Sequence, residues 1–304
     1  MAPKLETRIG ELRLRNPTIL AAGVLGLTGS SLARVWKAGA GGVIAKSVSR
    51  TASEGYPGPR IVEVENGLVN AMGLPNPGVE EMVKEIKIAK AADAIVIGSA
   101  FGKSATEFTE VARKLSKEAD AVELNLSCPH AGGLASMGQD PRLSKKIIAM
   151  VKSKIRKPVW AKLPGTTDVA NLVEVAKASE KAGADALTVS NTFPAMVFDS
   201  ELGRPILGHG TGGLSGPVIK PLTMKLVYAA RKEVKIPIVA SGGVVTGEDA
   251  VEYLMAGASA VQIGTGIMYR DLDIFNEVCN GIENYLEANK YKNISNIIGT
   301  ARSA

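Results

Sequence analysis

The chain has 304 residues, 45% of them hydrophobic and 22% charged, a balance that suits a soluble globular protein with one large core and excludes a disordered chain. No run approaches the ~18 consecutive apolar residues of a membrane span, and Met1 to Arg15, with its charges spread throughout, lacks the layout of a signal peptide. The net charge of +6 admits nucleic acid, yet Lys152-Ser153-Lys154-Ile155-Arg156-Lys157 interleaves cations with apolar residues as a solvated helix face does, and 4% aromatic content leaves little for base stacking. No nucleic-acid partner is expected; a mild positive bias also suits anionic ligands.

In chain order, short β-branched runs read as strands at Thr18 to Val24, Gly42 to Ser47, Ala94 to Gly98, Ala121 to Leu126, Pro158 to Leu163, Ala186 to Ser190, Ile236 to Ser241 and Ser259 to Gly264. Each is nearly continuous in hydrophobicity, as parallel strands buried on both faces are. Between them, segments such as Glu107 to Glu118, Val169 to Ala182 and Gly247 to Ala256 place apolar residues three and four apart and read as helices. Eight βα units predict an α/β fold, a (β/α)₈ TIM barrel; a doubly wound open sheet is the alternative. The repeats Lys37-Ala38-Gly39-Ala40, Lys181-Ala182-Gly183-Ala184 and Met255-Ala256-Gly257-Ala258 favour the barrel, each ending a helix with Gly just before a strand. One domain, 1–304, is expected. Two connections, Val48 to Met72 and Asn191 to Pro217, are too long for simple turns and would wall or cover a site at the C-terminal ends of the strands.

The strand ends carry the chemistry. Asn125 and Ser127 close the fourth strand with short polar groups, and Cys128 follows at the start of a Gly-rich loop, Pro129 to Asp140. A lone Cys is more often structural, and Cys279, on an apolar helix face, is read that way; two cysteines make no disulfide framework, so a reducing, cytoplasmic setting is expected. The other ends are Ala22-Gly23, Lys46-Ser47, Ser99, Lys162, Ser190-Asn191-Thr192, Gly242-Gly243 and Gly264-Thr265. The last two pairs stand where barrels bind phosphate through backbone N–H groups, which predicts a phosphorylated ligand. Lys46 and Lys162 suit an anionic ring or developing negative charge, and Asn70, Asn125 and Asn191 suit a flat heterocycle with alternating carbonyl and N–H groups. No metal site is expected.

Four motifs resemble the class 1 dihydroorotate dehydrogenases: Asn125-Leu126-Ser127-Cys128-Pro129, Asn70 to Gly78 (NAMGLPNPG), Thr211 to Pro221 (TGGLSGPVIKP) and Ser241-Gly242-Gly243-Val244. The third points to class 1B, the catalytic subunit of the NAD-linked form. The resemblance implies an FMN-binding barrel that oxidises (S)-dihydroorotate to orotate in pyrimidine (UMP) biosynthesis, with Cys128 as general base. It implies Lys46, Asn70, Met72, Gly73, Leu74, Asn125, Asn191 and Thr192 around the substrate. It implies Ala22, Gly23, Lys46, Ser47, Ser99, Asn125, Lys162, Val189, Gly216, Gly242, Gly243, Gly264 and Thr265 around FMN. A partner subunit carrying FAD and a [2Fe–2S] cluster, and a homodimer within a heterotetramer, are implied as well. Two readings compete: Ser127 to His130 with Gly138 to Pro141 also resembles the dihydropyrimidine dehydrogenase barrel, which acts on dihydrouracil, and a tRNA dihydrouridine synthase joins FMN, barrel and cysteine. The second normally adds a helical domain longer than the stretch after Tyr269.

Overall fold

The computed structural model of the chain describes residues 5–126 and 137–301. Eight parallel strands close into a barrel: β1 (Thr18–Leu20), β2 (Gly42–Ile44), β3 (Val96–Ala100), β4 (Ala121–Asn125), β5 (Val159–Lys162), β6 (Ala186–Val189), β7 (Ile238–Ser241) and β8 (Ala260–Ile263). Each lies between its sequence neighbours, and β8 returns to pair with β1, Val261 opposite Thr18. The open-sheet alternative is thereby excluded. Every predicted strand is present, most of them shorter by a few residues at one or both ends, and β3 keeps its length but lies two residues further on.

Helices α1 (Gly29–Lys37), α2 (Val79–Lys90), α3 (Ala105–Leu115), α4 (Pro141–Lys152), α5 (Val169–Lys181), α6 (Lys220–Glu233) and α7 (Gly247–Met255) surround the strands. Their ends follow from local chemistry. Asp140 caps α4 by accepting from Arg142 N, with Pro141 in the first turn where it forfeits no helical bond. Gly39, Gly183 and Gly257 are left-handed, with φ of 112°, 90° and 110°. The next residue in each case donates back across the last turn, as in Ala258 N to Tyr253 O at 2.9 Å. A short α8 (Gly266–Arg270) and the long α9 (Ile274–Ala288) follow β8. Cys279 lies in the core on α9, and burial pushes its thiol up to about 11, so it is inert near neutrality.

Side-chain alternation along a strand places every second residue inside the barrel. One residue from each strand, Ile19, Ile44, Ile97, Ala121, Trp160, Ala186, Val239 and Ala260, contributes to a single buried apolar cluster. Ile9 and Leu14 join it from a hairpin, Thr7–Ile9 with Leu12–Leu14, whose strands are too short to be marked by sequence periodicity. Two positions further along each strand the residues are Ala21, Lys46, Ser99, Glu123, Lys162, Thr188, Ser241 and Gln262. An apolar plug thus gives way to a polar layer one step toward the C-terminal mouth.

The two long connections do not wander. Ile61–Val64, Gly67–Asn70, Thr211–Ser215 and Phe193–Met196 pair into one four-stranded antiparallel sheet beside that mouth.

Candidate functional site

A cleft of about 270 Å³ opens at the C-terminal ends of the barrel strands. Its floor and rim come from strand ends, and one wall comes from the antiparallel sheet. Among the residues singled out from sequence it brings together Ala22, Gly23, Lys46, Ser47, Asn70, Met72, Gly73, Leu74, Asn125, Lys162, Asn191, Thr192, Gly216, Gly242, Gly243, Gly264 and Thr265. Ser99 and Val189 do not line it. Ser99 is fully buried and its Oγ lies 2.8 Å from Ser47 Oγ, so it supports a lining residue from behind. Val189 is fully buried on β6, and the next residue, Ser190, reaches the cleft in its place. Cys128 lies outside the described residues.

The amides form a chain across strands. Asn125 Nδ2 donates to Ser47 Oγ and Asn191 Nδ2 donates to Asn125 Oδ1, both at 3.4 Å. Asn191 Oδ1 in turn accepts from Thr192 N at 2.8 Å, which fixes which end of that amide is oxygen. Asn70 is held separately: its Nδ2 donates to Gly213 O at 3.0 Å across the antiparallel pair. Gly73 and Leu74 are both left-handed, with φ of 70° and 55°; a Cβ on Gly73 would stand 2.4 Å from Tyr56 N. Glycine adopts that backbone freely, Leu74 does not, and both residues line the cleft.

The glycines at the ends of β7 and β8 make the opposite side. Gly243 has φ of 75°, and a Cβ there would meet Lys220 Cβ at 2.8 Å and Gly216 O at 3.0 Å. Tyr253 Oη donates to Gly242 O at 2.6 Å from beneath, and burial pushes this phenol up. Lys220, at the start of α6, pairs with Asp249 at 2.6 Å and with Glu252 at 2.9 Å. Burial alone would lower its ammonium, but the two carboxylates outweigh it and hold it above its ordinary value. Thr265 Oγ1 donates to Ser215 Oγ at 2.8 Å and ties this side to the sheet.

Ser190, read as part of a strand end, also lines the cleft; sequence reading missed Ser215, Ile219, Gln262, Ile61 and Leu68, which line it too. Gln262 had a signal, since it precedes Gly264 by two and shares its face of the strand. Ile61 and Leu68 had one too: the β-branched run Ile61–Val64 and the strand Gly67–Asn70 form a local hairpin across Glu65-Asn66, and only the pairing of Gly67–Asn70 with Thr211–Ser215 is remote in sequence.

The cleft fits a flavin mononucleotide on its own chemistry. Among the described residues, the N–H groups of Gly242, Gly243 and Gly264 find no acceptor, which suits a phosphate. A Cβ on Gly23 would meet nothing within 4 Å, so the cleft is open where a large planar group needs room. Lys162 brings a cation to its floor.

The family profile described as dihydroorotate dehydrogenase matches residues 4–286. The chain belongs to this family. Among its relatives are the catalytic subunits of dihydroorotate dehydrogenase B (NAD(+)) from Methanothermobacter thermautotrophicus, 45% identical over 98% of both chains, and from Methanocaldococcus jannaschii, 44% identical over 98% of both. That from Pyrococcus abyssi is 44% identical over 98% of this chain and 99% of its own. The crystal structure of an Eimeria tenella DHODH with ferulenol superposes with a TM-score of 0.87, covering 98% of this chain and 88% of that one. At 24% identity that likeness speaks for the fold alone. No helix among the described residues is long and apolar enough to cross a membrane.

Proposed function

We propose that the chain is the catalytic subunit of an NAD-linked dihydroorotate dehydrogenase, oxidising (S)-dihydroorotate to orotate in pyrimidine synthesis. The observation that carries the reading is the gathering, in one cleft, of a glycine cradle on one side and three carboxamides with two lysines on the other. Bound FMN would supply the two-electron acceptor. Gly216, Gly242, Gly243, Gly264 and Thr265 would hold its phosphate side, while Ala22, Gly23, Ser47, Asn125 and Lys162 would hold its ring, with Ser99 and Val189 as backing.

Asn70, Asn125 and Asn191 would hold the substrate ring through paired donors and acceptors, and Lys46 would face its negative charge, with Met72, Gly73, Leu74 and Thr192 closing the pocket. Because Asn191 and Asn125 are already oriented by Thr192 N and Ser47, substrate meets amides whose direction is set before it arrives. Cys128 would remove the proton at C5; a thiol of ordinary pKa ~8.5 is a usable base near neutrality where neighbours favour the thiolate.

Electrons leave the chain to a partner subunit. A carrier of FAD and an iron–sulfur cluster would serve, since two cysteines fall short of the four ligands such a cluster usually needs. We propose a homodimer of this chain within a heterotetramer. The deciding experiment is anaerobic addition of dihydroorotate to the purified yellow protein. Bleaching of the flavin band by dihydroorotate and not by dihydrouracil supports the reading; bleaching by dihydrouracil alone assigns a substrate without the carboxylate.

A further inference from the structure

The barrel interior carries a buried acid that the proposed reaction does not use. Glu123, on β4, has no exposed surface. Its Oε2 accepts from Thr188 Oγ1 of β6 at 2.7 Å and from Gln262 Nε2 of β8 at 2.8 Å. Gln262 Nε2 also donates to Thr188 Oγ1 at 3.2 Å, so both hydrogens of that amide are committed and the bonds run from amide to hydroxyl to carboxylate. β4, β6 and β8 are not neighbours in the barrel, and these bonds therefore cross its lumen. The carboxylate is locked from two sides.

Its other oxygen, Oε1, receives no hydrogen bond among the described residues and stands 4.0 Å from Lys162 Nζ. That separation decides what the pair does. It is too long for a hydrogen bond, so the ammonium keeps its donors for the cleft it lines. It is short enough, in a site with little water, for a large Coulomb attraction. A carboxylate this buried is costly without an opposite charge, and Lys162 is the cation within ion-pair reach among the described residues.

We infer that Glu123 is a positioning residue for the redox step, acting through Lys162: it holds the ammonium at the cleft floor and cancels part of its field there. The inference rests on the reading that FMN occupies the cleft. An unopposed ammonium would favour the negative charge that two-electron reduction places on the cofactor. A carboxylate anchored 4.0 Å behind it opposes that bias, which keeps the bound cofactor willing to pass its electrons on.

The test is the midpoint potential and FMN affinity of wild type, Glu123→Gln, Lys162→Met and the double variant. In Glu123→Gln the reduction equilibrium moves at least tenfold toward the reduced form, ~30 mV for a two-electron couple. In the Lys162→Met background the same change moves it less than threefold. An unmoved potential in Glu123→Gln, or an equal shift in both backgrounds, overturns the inference while leaving the cofactor reading intact. Wild-type chain that neither carries nor binds FMN overturns both. Should Glu123→Gln fail to fold, recovery of folded, FMN-binding protein on adding Lys162→Met supports the pairing, and failure of the double variant where Lys162→Met alone folds overturns it.

Discussion

Gly243→Ala separates the cradle's conformation from its composition. At φ of 75° an alanine sits in left-handed backbone, which costs ~1–2 kcal/mol, offset by ~0.4–1 kcal/mol from the stiffer unfolded chain. The new methyl would also stand 2.8 Å from Lys220 Cβ and 3.0 Å from Gly216 O. Neither can yield cheaply: Lys220 begins α6 and is pinned by Asp249, and Gly216 is itself left-handed at φ of 101°. Overpacking of this kind costs ~1–3 kcal/mol, so the net loss is roughly 1–5 kcal/mol. Gly203→Ala is the control. Gly203 has φ of 61° but no atom within 4 Å of a built Cβ, so it carries the strain without the clash and should lose about 1.5 kcal/mol or less. Thermal unfolding of the apo forms reads stability, and flavin fluorescence during titration reads FMN affinity. Gly243→Ala should weaken FMN by tenfold or more, equivalent to ~1.4 kcal/mol, and Gly203→Ala should leave it unchanged. Equal FMN affinity in the two variants would refute the assignment of Gly243 to the phosphate cradle.

Cys128→Ala should keep FMN but lose turnover by on the order of 10²-fold or more, the usual share of a positioned base; a wild-type rate would remove it from the mechanism. Acid precipitation should release FMN with no covalent residue, and yellow colour in the pellet, or FAD in the supernatant, would contradict the backbone cradle. Asp249→Asn tests the support beneath Gly243: burial pushes the Asp249 carboxyl up, but Lys220 and the N–H groups of Val245 and Thr246 hold it below its ordinary 3.8. A depressed acid stabilises above its unfolded value and loses that contribution as pH falls through its folded one, so the stability gap between wild type and Asp249→Asn should be flat above about pH 5 and shrink below 3.8; a gap that widens on acidification refutes it. The isolated chain should reduce dyes but not NAD⁺ until a partner subunit is added, and efficient NAD⁺ reduction by the chain alone would dismiss the partner.

The barrel was legible because parallel strands buried on both faces must be continuously apolar, and Ile19, Ile44, Ile97 and Val239 mark four of them without ambiguity. Glycines at helix ends were equally plain, since left-handed backbone at Gly39, Gly183 and Gly257 excludes nearly all other residues. The antiparallel sheet was not. Its strands are four- to five-residue stretches, three of them carrying Gly or Pro, and its central pairing is long-range, Asn70 with Gly213, 143 positions away. Ile61 to Val64 and Gly67 to Asn70 carry a hairpin signal, a β-branched run followed by Asn66-Gly67, but nothing local says that Thr211–Ser215 joins them. Lys46, Asn125 and Lys162 were found because polar groups at strand ends stand out; Ser99 was read as a strand end in the same way and Val189 carried in by family resemblance, and the structure places both behind the lining.

Glu123 shows why a polar residue inside an apolar run carries more information than one at its end. A strand end opens on the cleft, so Asn125, hydrogen-bonded to Ser47, or Ser241 costs little to place there. Glu123 sits two residues earlier, in the same inward register as Ala121, and its carboxylate would be intolerable in an open sheet packed by helices on both faces. Only a closed barrel brings Thr188 and Gln262, from strands that never touch, to the same oxygen. Thr188, Gln262 and Lys162 likewise stand two residues after Ala186, Ala260 and Trp160 of the apolar cluster. The spacing by two, repeated across four strands, therefore joins closure of the fold to polarity of the cleft: the geometry that removes the sheet's edges is the one that lets an acid and a base be buried together directly beneath the site.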